Sequence, residues 1–269
     1  MSTHTTIAAI CHGEAGTRIT AALLAAGYDV TVIDPMASKN NAAPLGEGQA
    51  EAVAGADVVL SLNSRTHSLR LAEQIAPLLK EGAVFADANS GTPGMKRRLA
   101  ELFPPGAFAD VAVLAPVPGA AQELSLAASG SGAGKLMGLL EPSGLALDYV
   151  SDVPGEAAAR EIVRSLLHKS MAAAIIDSLW AAQSLGLQDW AFDEVLEQFN
   201  ASSAETAKSL LLDSAQNFKR RQMELLEVAE ALRDTDYEST MTAPIDFTYG
   251  SLMHGKKIPF SKLPQGRRS

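Results

Sequence analysis

Residues 6–34 read TIAAICHGEAGTRITAALLAAGYDVTVID. Thr6 to Ile10 is a short apolar run of strand type, and Asp29 to Ile33 is a second. Between them Thr17 to Ala26 has helix-forming composition, closed by Gly27. Strand, glycine-bearing turn, helix, strand and a closing acid, Asp34, is the order of a dinucleotide-binding βαβ unit. Each part has a physical reason. Gly13 lets backbone approach a pyrophosphate, and Gly16 lets the helix pack closely on the first strand. The first helical turn offers free N–H groups and a positive dipole end. His12, Gly13, Glu14 and Ala15 are therefore read as the cofactor-binding turn. The Asp34 carboxylate can accept from both ribose hydroxyls and would repel a 2′-phosphate. That favours NAD, with NADP still possible because Lys39 and Asn40 follow in the next loop. Cys11 stands where the first glycine of the fingerprint makes the tight turn, and is read as a small buried apolar residue.

Outward from this unit the alternation continues. Ala56 to Leu62 is a near-continuous apolar strand of the kind parallel sheets require. Thr66 to Leu79 reads as a helix, Ala83 to Ala86 as a strand, Met95 to Leu102 as a helix. Ala107 to Val113 and Leu124 to Ala128 read as strands, Lys135 to Leu140 as a helix, and Leu145 to Val150 as a last strand. The predicted class is α/β, a Rossmann doubly wound parallel sheet over 1–153. Such sheets bind ligands beyond the strand C-termini. Leu62, Asn63 and Asn89 fall there on the cofactor side, with Ser64 and Ser90 beside them and Ser90 toward a substrate. Asn and Ser also terminate strands for turn-forming reasons alone.

The second half, 154–269, shows no strand pattern and is predicted all-helical. Gly155 to Leu187 has no internal Pro or Gly before Gly186 and reads as one helix of about 45 Å. Met171 to Ala182 is apolar on nearly every side and is expected to be buried. Glu161, Ser165 and His168 fall on one face, at i, i+4 and i+7. They line either a cleft or a solvated face with a local Glu161–Arg164 pair. Phe192 to Phe199, Ala204 to Leu212 and Asn217 to Leu232 read as further helices, with Asp193 and Ser202 or Ser203 as N-caps. The tail carries Lys256, Lys257, Lys262, Arg267 and Arg268 without an acid, as a basic docking arm or a solvated end.

The net charge of −9 over 269 residues argues against nucleic acid or an anionic membrane as the main partner. Cys11 is the single cysteine, and the five histidines show no metal-ligand spacing, so no disulfide and no metal site are expected. No basic segment leading into a long apolar run is present, and the expectation is a soluble cytoplasmic protein.

Taken together, IAAICHGEAGTRITAALLAAGYDVTVID, ADVVLSLNS, DANSGTPG, DVAVLAPVPG and PGEAAAREIVRSLLHKS resemble the β-hydroxyacid dehydrogenase superfamily. This superfamily includes the 3-hydroxyisobutyrate and 6-phosphogluconate dehydrogenases. The resemblance implies a Rossmann domain, a helical domain around a long interdomain helix, an active site in the cleft, a small-molecule substrate and a homodimer. Family members carry a catalytic Lys near the start of the long helix. In register with Gly155 that position is Glu161, and a companion Asn position is Ser165; a shift of one residue would put Arg160 at the Lys position. His168 falls where 6-phosphogluconate dehydrogenase-like members have an acidic glutamate. Lys169 matches the Lys of a Lys-Gly pair common in this branch, which serves structure or faces solvent. The substrate loop, a Ser-Gly-Gly run in carboxylate-binding members, reads Leu114-Ala115-Pro116, and the DxST companion reads Asp87-Ala88-Asn89-Ser90. The resemblance implies hydride transfer between nicotinamide and a small hydroxy or oxo compound, with Glu161, Ser165 and His168 at catalytic positions. Two alternatives stay open: imine reduction with Glu161 balancing an iminium charge, and cofactor binding without turnover.

Overall fold

The computed structural model describes residues 5–11, 14–33, 45–63, 67–114, 125–233, 235 and 237–258. The chain divides into two compact units, Met1–Leu167 and His168–Ser269.

The first unit is built on a seven-stranded sheet: β1 Thr6–Cys11, β2 Asp29–Ile33, β3 Val58–Leu62, β4 Val84–Asp87, β5 Phe108–Leu114, β6 Ser125–Ser129 and β7 Ala146–Ser151. The order is β2-β1-β3-β4-β5-β6-β7. Strands β1 to β5 are mutually parallel, but β6 pairs antiparallel with β5, and β7 runs parallel to β6. The doubly wound parallel sheet expected from the sequence is thus present, with one antiparallel seam at β5–β6. A parallel return needs a crossover of a dozen or more residues, usually helical. Residues 115–124 are too few and carry no helical pattern, which was the available signal.

Alternation along the strands feeds two cores. Ile7, Ala9, Val58, Leu60, Val84, Ala109 and Val111 face α1 Glu14–Ala25 and α5 Ala133–Leu140. Ala8, Ile10, Val59, Phe85 and Phe108 face α2 Glu47–Gly55, α3 Ser68–Ile75 and α4 Pro93–Ala100. Helix α1 begins three residues before the expected start, at Glu14. Helix α2 was not expected: among three glycines it buries only Val53, so it has no apolar stripe to read. Helix α4 starts where Thr92 Oγ1 accepts from the Met95 N–H, with Pro93 at its first position.

The long helix α6 is Glu156–Ser184, 29 residues, and its first turns belong to the sheet unit. In the helical unit follow α7 Gln188–Ala201, α8 Ala204–Arg233 and α9 Thr242–Met253. Helix α8 kinks at Asn217 (φ −117°, ψ 20°), the start of the third predicted segment. Ser203 caps α8 by accepting from the Thr206 N–H at 3.2 Å, whereas Asp193 lies inside α7 and is not a cap. Helix α9 was not expected. The predicted burial of 171–182 is overturned: Met171, Ile176 and Trp180 are exposed, and only Asp177 and Ala182 are buried. Among the described residues, the apolar composition of that segment is not matched by burial. No described helix is long and apolar enough to cross a membrane, and the described residues contain no cluster of metal-ligating side chains.

Candidate active site

The strand order reverses at β1, with β2 on one side and β3 on the other, so the crevice of a doubly wound sheet opens past the C-termini of β1 and β3. Cys11 and Leu62 are register partners at that edge, and both are buried. A Cβ on Gly16 would lie 2.7 Å from the Cys11 Cβ, so α1 can approach β1 this closely only with glycine there. Cys11 is thus a core residue, as read from the sequence. Glu14 and Ala15 form the first turn of α1, Glu14 exposed and Ala15 packed on the core. His12, Gly13, Asp34, Ser64 and Ala115 lie outside the described residues.

Past β3 and β4 a polar network closes on itself. Asn89 Nδ2 donates to Ser61 Oγ at 2.9 Å and to Asp87 Oδ1, while Asn89 Oδ1 accepts from the Asn63 N–H. Asn63 Nδ2 donates to Ser61 Oγ at 3.1 Å. Among the described residues, nothing hydrogen-bonds to the buried Asn63 Oδ1. Such an acceptor is costly unless something donates to it. One residue beyond Asn89, Ser90 Oγ donates to Glu161 Oε1 at 2.7 Å. The sequence placed Ser90 on the substrate side and Glu161 at a catalytic position, and the fold brings them into contact. Ser165 is half-buried one turn further along α6, and Leu114 is half-buried against Ala112, Ala127 and Ala157. His168 is half-buried and opens the second unit.

Beneath the pair lies a buried charge cluster that the sequence reading missed. Lys96 Nζ is 2.6 Å from Asp87 Oδ2, 2.8 Å from the Asp87 carbonyl and 3.1 Å from Asp110 Oδ1. All three side chains are at most 1% exposed. Burial pushes the Asp87 carboxyl above the ordinary carboxylate range, with the Asp110 charge adding to the rise, against the pull of the Lys96 ammonium and the Asn89 amide. Asp110 Oδ2 accepts from the Gly155 N–H at 3.1 Å, the Ala158 N–H at 3.0 Å and Ser129 Oγ at 3.1 Å, and Ser129 Oγ accepts from the Ala157 N–H at 2.9 Å. The orphan donors of the α6 N-terminus are thus satisfied from β5 and β6 rather than by a local cap. The signal for Lys96 was spacing: Lys96 and Leu99 fall at i and i+3, on the face of α4 that meets the core.

No family profile matches the chain. Among solved structures, a conserved hypothetical protein from Sinorhizobium meliloti is 27% identical, with a TM-score of 0.56 over 97% of this chain and 92% of that one. A conserved protein of unknown function, described as structurally similar to 3-hydroxyacid dehydrogenases, is 23% identical, with a TM-score of 0.57 over 93% and 97%. An imine reductase from Myxococcus stipitatus, solved with NAD+, is 18% identical, with a TM-score of 0.73 over 93% of each chain. The fold is that shared by the 3-hydroxyacid dehydrogenase-like proteins and the imine reductases, a Rossmann unit followed by a helical one.

Proposed function

We propose that the protein is an NAD(P)-dependent oxidoreductase that transfers a hydride between nicotinamide and a small hydroxy or oxo compound. The observation that carries this reading is the Ser90–Glu161 hydrogen bond of 2.7 Å, set just past the C-terminus of β4. The described residues fit a dinucleotide. The switch-point crevice, the close α1–β1 packing at Gly16 and the unpartnered Asn63 Oδ1 each match what such a ligand requires. In this reading the first-turn N–H groups of α1, at Glu14 and Ala15, hold the pyrophosphate. Leu62, Asn63 and Asn89 border the nicotinamide end, and His12, Gly13 and Asp34 complete the turn and the ribose contact. Imine reductases of this fold have been solved with NAD+ and with NADP+, which supports the cofactor class.

The cofactor, when bound, accepts or supplies the hydride. The chain's own residues manage the proton. In the oxidising direction the substrate hydroxyl gives its proton to Ser90 Oγ as Ser90 passes its own to Glu161. Glu161 is half-buried and can return that proton to water. In the reducing direction the same steps run backwards. A carboxylate here, where the resemblance places an ammonium, also favours a second reading. A negative group balances the cation of an iminium substrate, and the imine reductases share the fold. We further propose that the protein acts as a homodimer through its helical unit, whose exposed Trp180, Trp190, Phe192 and Phe247 support a covered surface.

Calorimetry with NADH and NADPH is the first test: binding of at least one is expected, and binding of neither overturns both readings. A panel of hydroxy acids, oxo acids and cyclic imines then assigns the substrate class, and binding without turnover of any would leave a cofactor-binding protein. Ser90→Ala and Glu161→Gln should each lower kcat by about a hundredfold on the active substrate.

A further inference from the structure

We propose that Lys96 is a positioning residue of this site: its buried ammonium fixes the spacing between the loop that carries Ser90 and the helix that carries Glu161. The inference rests on the functional reading above for its catalytic consequence, and on geometry for the rest.

Ser90 and Glu161 stand 71 residues apart in sequence. What joins their segments is the cluster under the pair. Asp87 ends β4, three residues before Ser90, and through Asn89 it also fixes Ser61 and Asn63. Asp110 sits on β5, in register with Asp87, and holds the amides of Gly155 and Ala158 at the start of α6, one to two turns before Glu161. Two carboxylates side by side in a dry interior repel, and each branch would relax away from the other. Lys96 Nζ reaches both, and the Asp87 carbonyl as well, so one ammonium ties the two branches together. The backbone leaves little slack. A Cβ on Gly155, which has φ +97°, would meet the Pro93 carbonyl at 2.7 Å, so the starts of α4 and α6 are in backbone contact beside Lys96. The Lys96 side chain is 1% exposed, which separates this role from catalysis.

The test is a crystal structure of Lys96→Met, read at Ser90 Oγ and Glu161 Oε1, with kinetics on the active panel substrate. The expected result is a folded protein in which that pair is separated beyond hydrogen-bond range. Its kcat should be at least about tenfold lower and its KM for the nicotinamide cofactor within about twofold of the parent. Adding Ser90→Ala to Lys96→Met should then cost almost nothing more, because the contact is already lost. Lys96→Arg should recover part of kcat. Should Lys96→Met fail to fold, Lys96→Gln, which removes the ammonium but leaves both carboxylates and keeps a donor for one of them, must show the same separation and the same kinetic pattern. An intact 2.7 Å pair in a folded variant lacking the ammonium overturns the proposal. A separated pair with kcat unchanged removes its catalytic consequence, and if Ser90→Ala is silent in the parent protein it is the functional reading that has failed.

Discussion

Phe85, in the sheet unit, is fully buried and stacks on Phe103 with ring centroids 4.6 Å apart. Trp190, in the helical unit, is 61% exposed. The contrast extends over both units. Strands β1, β3, β4 and β5 bury nearly every side chain between two layers of helices, and their apolar content is spent within the chain. The helical half is comparably apolar in sequence, yet within its unit it fully buries little beyond Asp177, Ala182, Ala191 and Leu232. Its best-defined tie is polar. Asp177 accepts from Tyr237 Oη at 2.9 Å, Ser239 Oγ at 2.6 Å, and the Thr240 N–H and Oγ1 at 2.8 and 2.9 Å. One unit is held by packing; among the described residues the other is tied by a carboxylate staple and keeps large apolar side chains exposed.

The largest effect should come from breaking the packed unit. Phe85→Ala removes the centre of the Phe85–Phe103–Phe108 cluster and should cost about 3–5 kcal/mol in urea denaturation. A cost below about 1 kcal/mol would show that this core is not what holds the sheet unit together.

How much of this could be read in advance follows the same divide. Strands buried on both faces appear as apolar runs, so ADVVLSL and AFADVAV announced themselves to within a residue or two. Helix α9 did not, because Pro244 and Gly250 read as breakers; Pro244 lies in the first turn, where it costs no intrahelical hydrogen bond. The start of α6 carries no Ser, Thr, Asp or Asn cap of its own because Asp110 and Ser129 supply the acceptors from strands far away in sequence. The Ser90–Glu161 contact was half legible: motif order put each residue near the site, but only the fold shows them bonded. Lys96 was passed over because a lysine is ordinarily a surface residue, although its spacing with Leu99 marked the inner face. The apolar stretch from Met171 was misread because composition says that a surface avoids water, not whether the same chain covers it.

The staple gives the next prediction. Burial alone would raise the Asp177 carboxyl, but the hydrogen bonds from Ser239, Thr240 and Tyr237 outweigh it and hold the group below the ordinary carboxylate range. A carboxyl lowered in the folded state adds stability that is complete above its unfolded value, near about 3.9, and is lost as pH falls through the folded value. Both tryptophans, Trp180 and Trp190, lie in the helical unit, so their fluorescence follows its unfolding. The urea midpoint by fluorescence should fall between pH 5 and pH 2. Asp177→Asn should lower the unfolding free energy by about 2 kcal/mol at pH 7 and flatten the acid dependence. An unchanged midpoint at pH 7 would mean that the four donors are not what holds Tyr237 to Thr240 against α6.

The smallest expected effect sharpens the comparison most, because it asks whether the exposed aromatics are exposed in solution. If a second copy covers Trp180, Trp190, Phe192 and Phe247, folding of the helical unit is coupled to association, and its stability depends on protein concentration. Tenfold dilution should then lower the apparent stability by about 1.4 kcal/mol of dimer, read as a lower urea midpoint in tryptophan fluorescence. Sedimentation at the same concentrations should show the dimer dissociating over the same range. A midpoint independent of concentration, with a single monomeric species throughout, would leave the helical unit held by Asp177 and its own sparse core, and would remove the homodimer from the functional proposal.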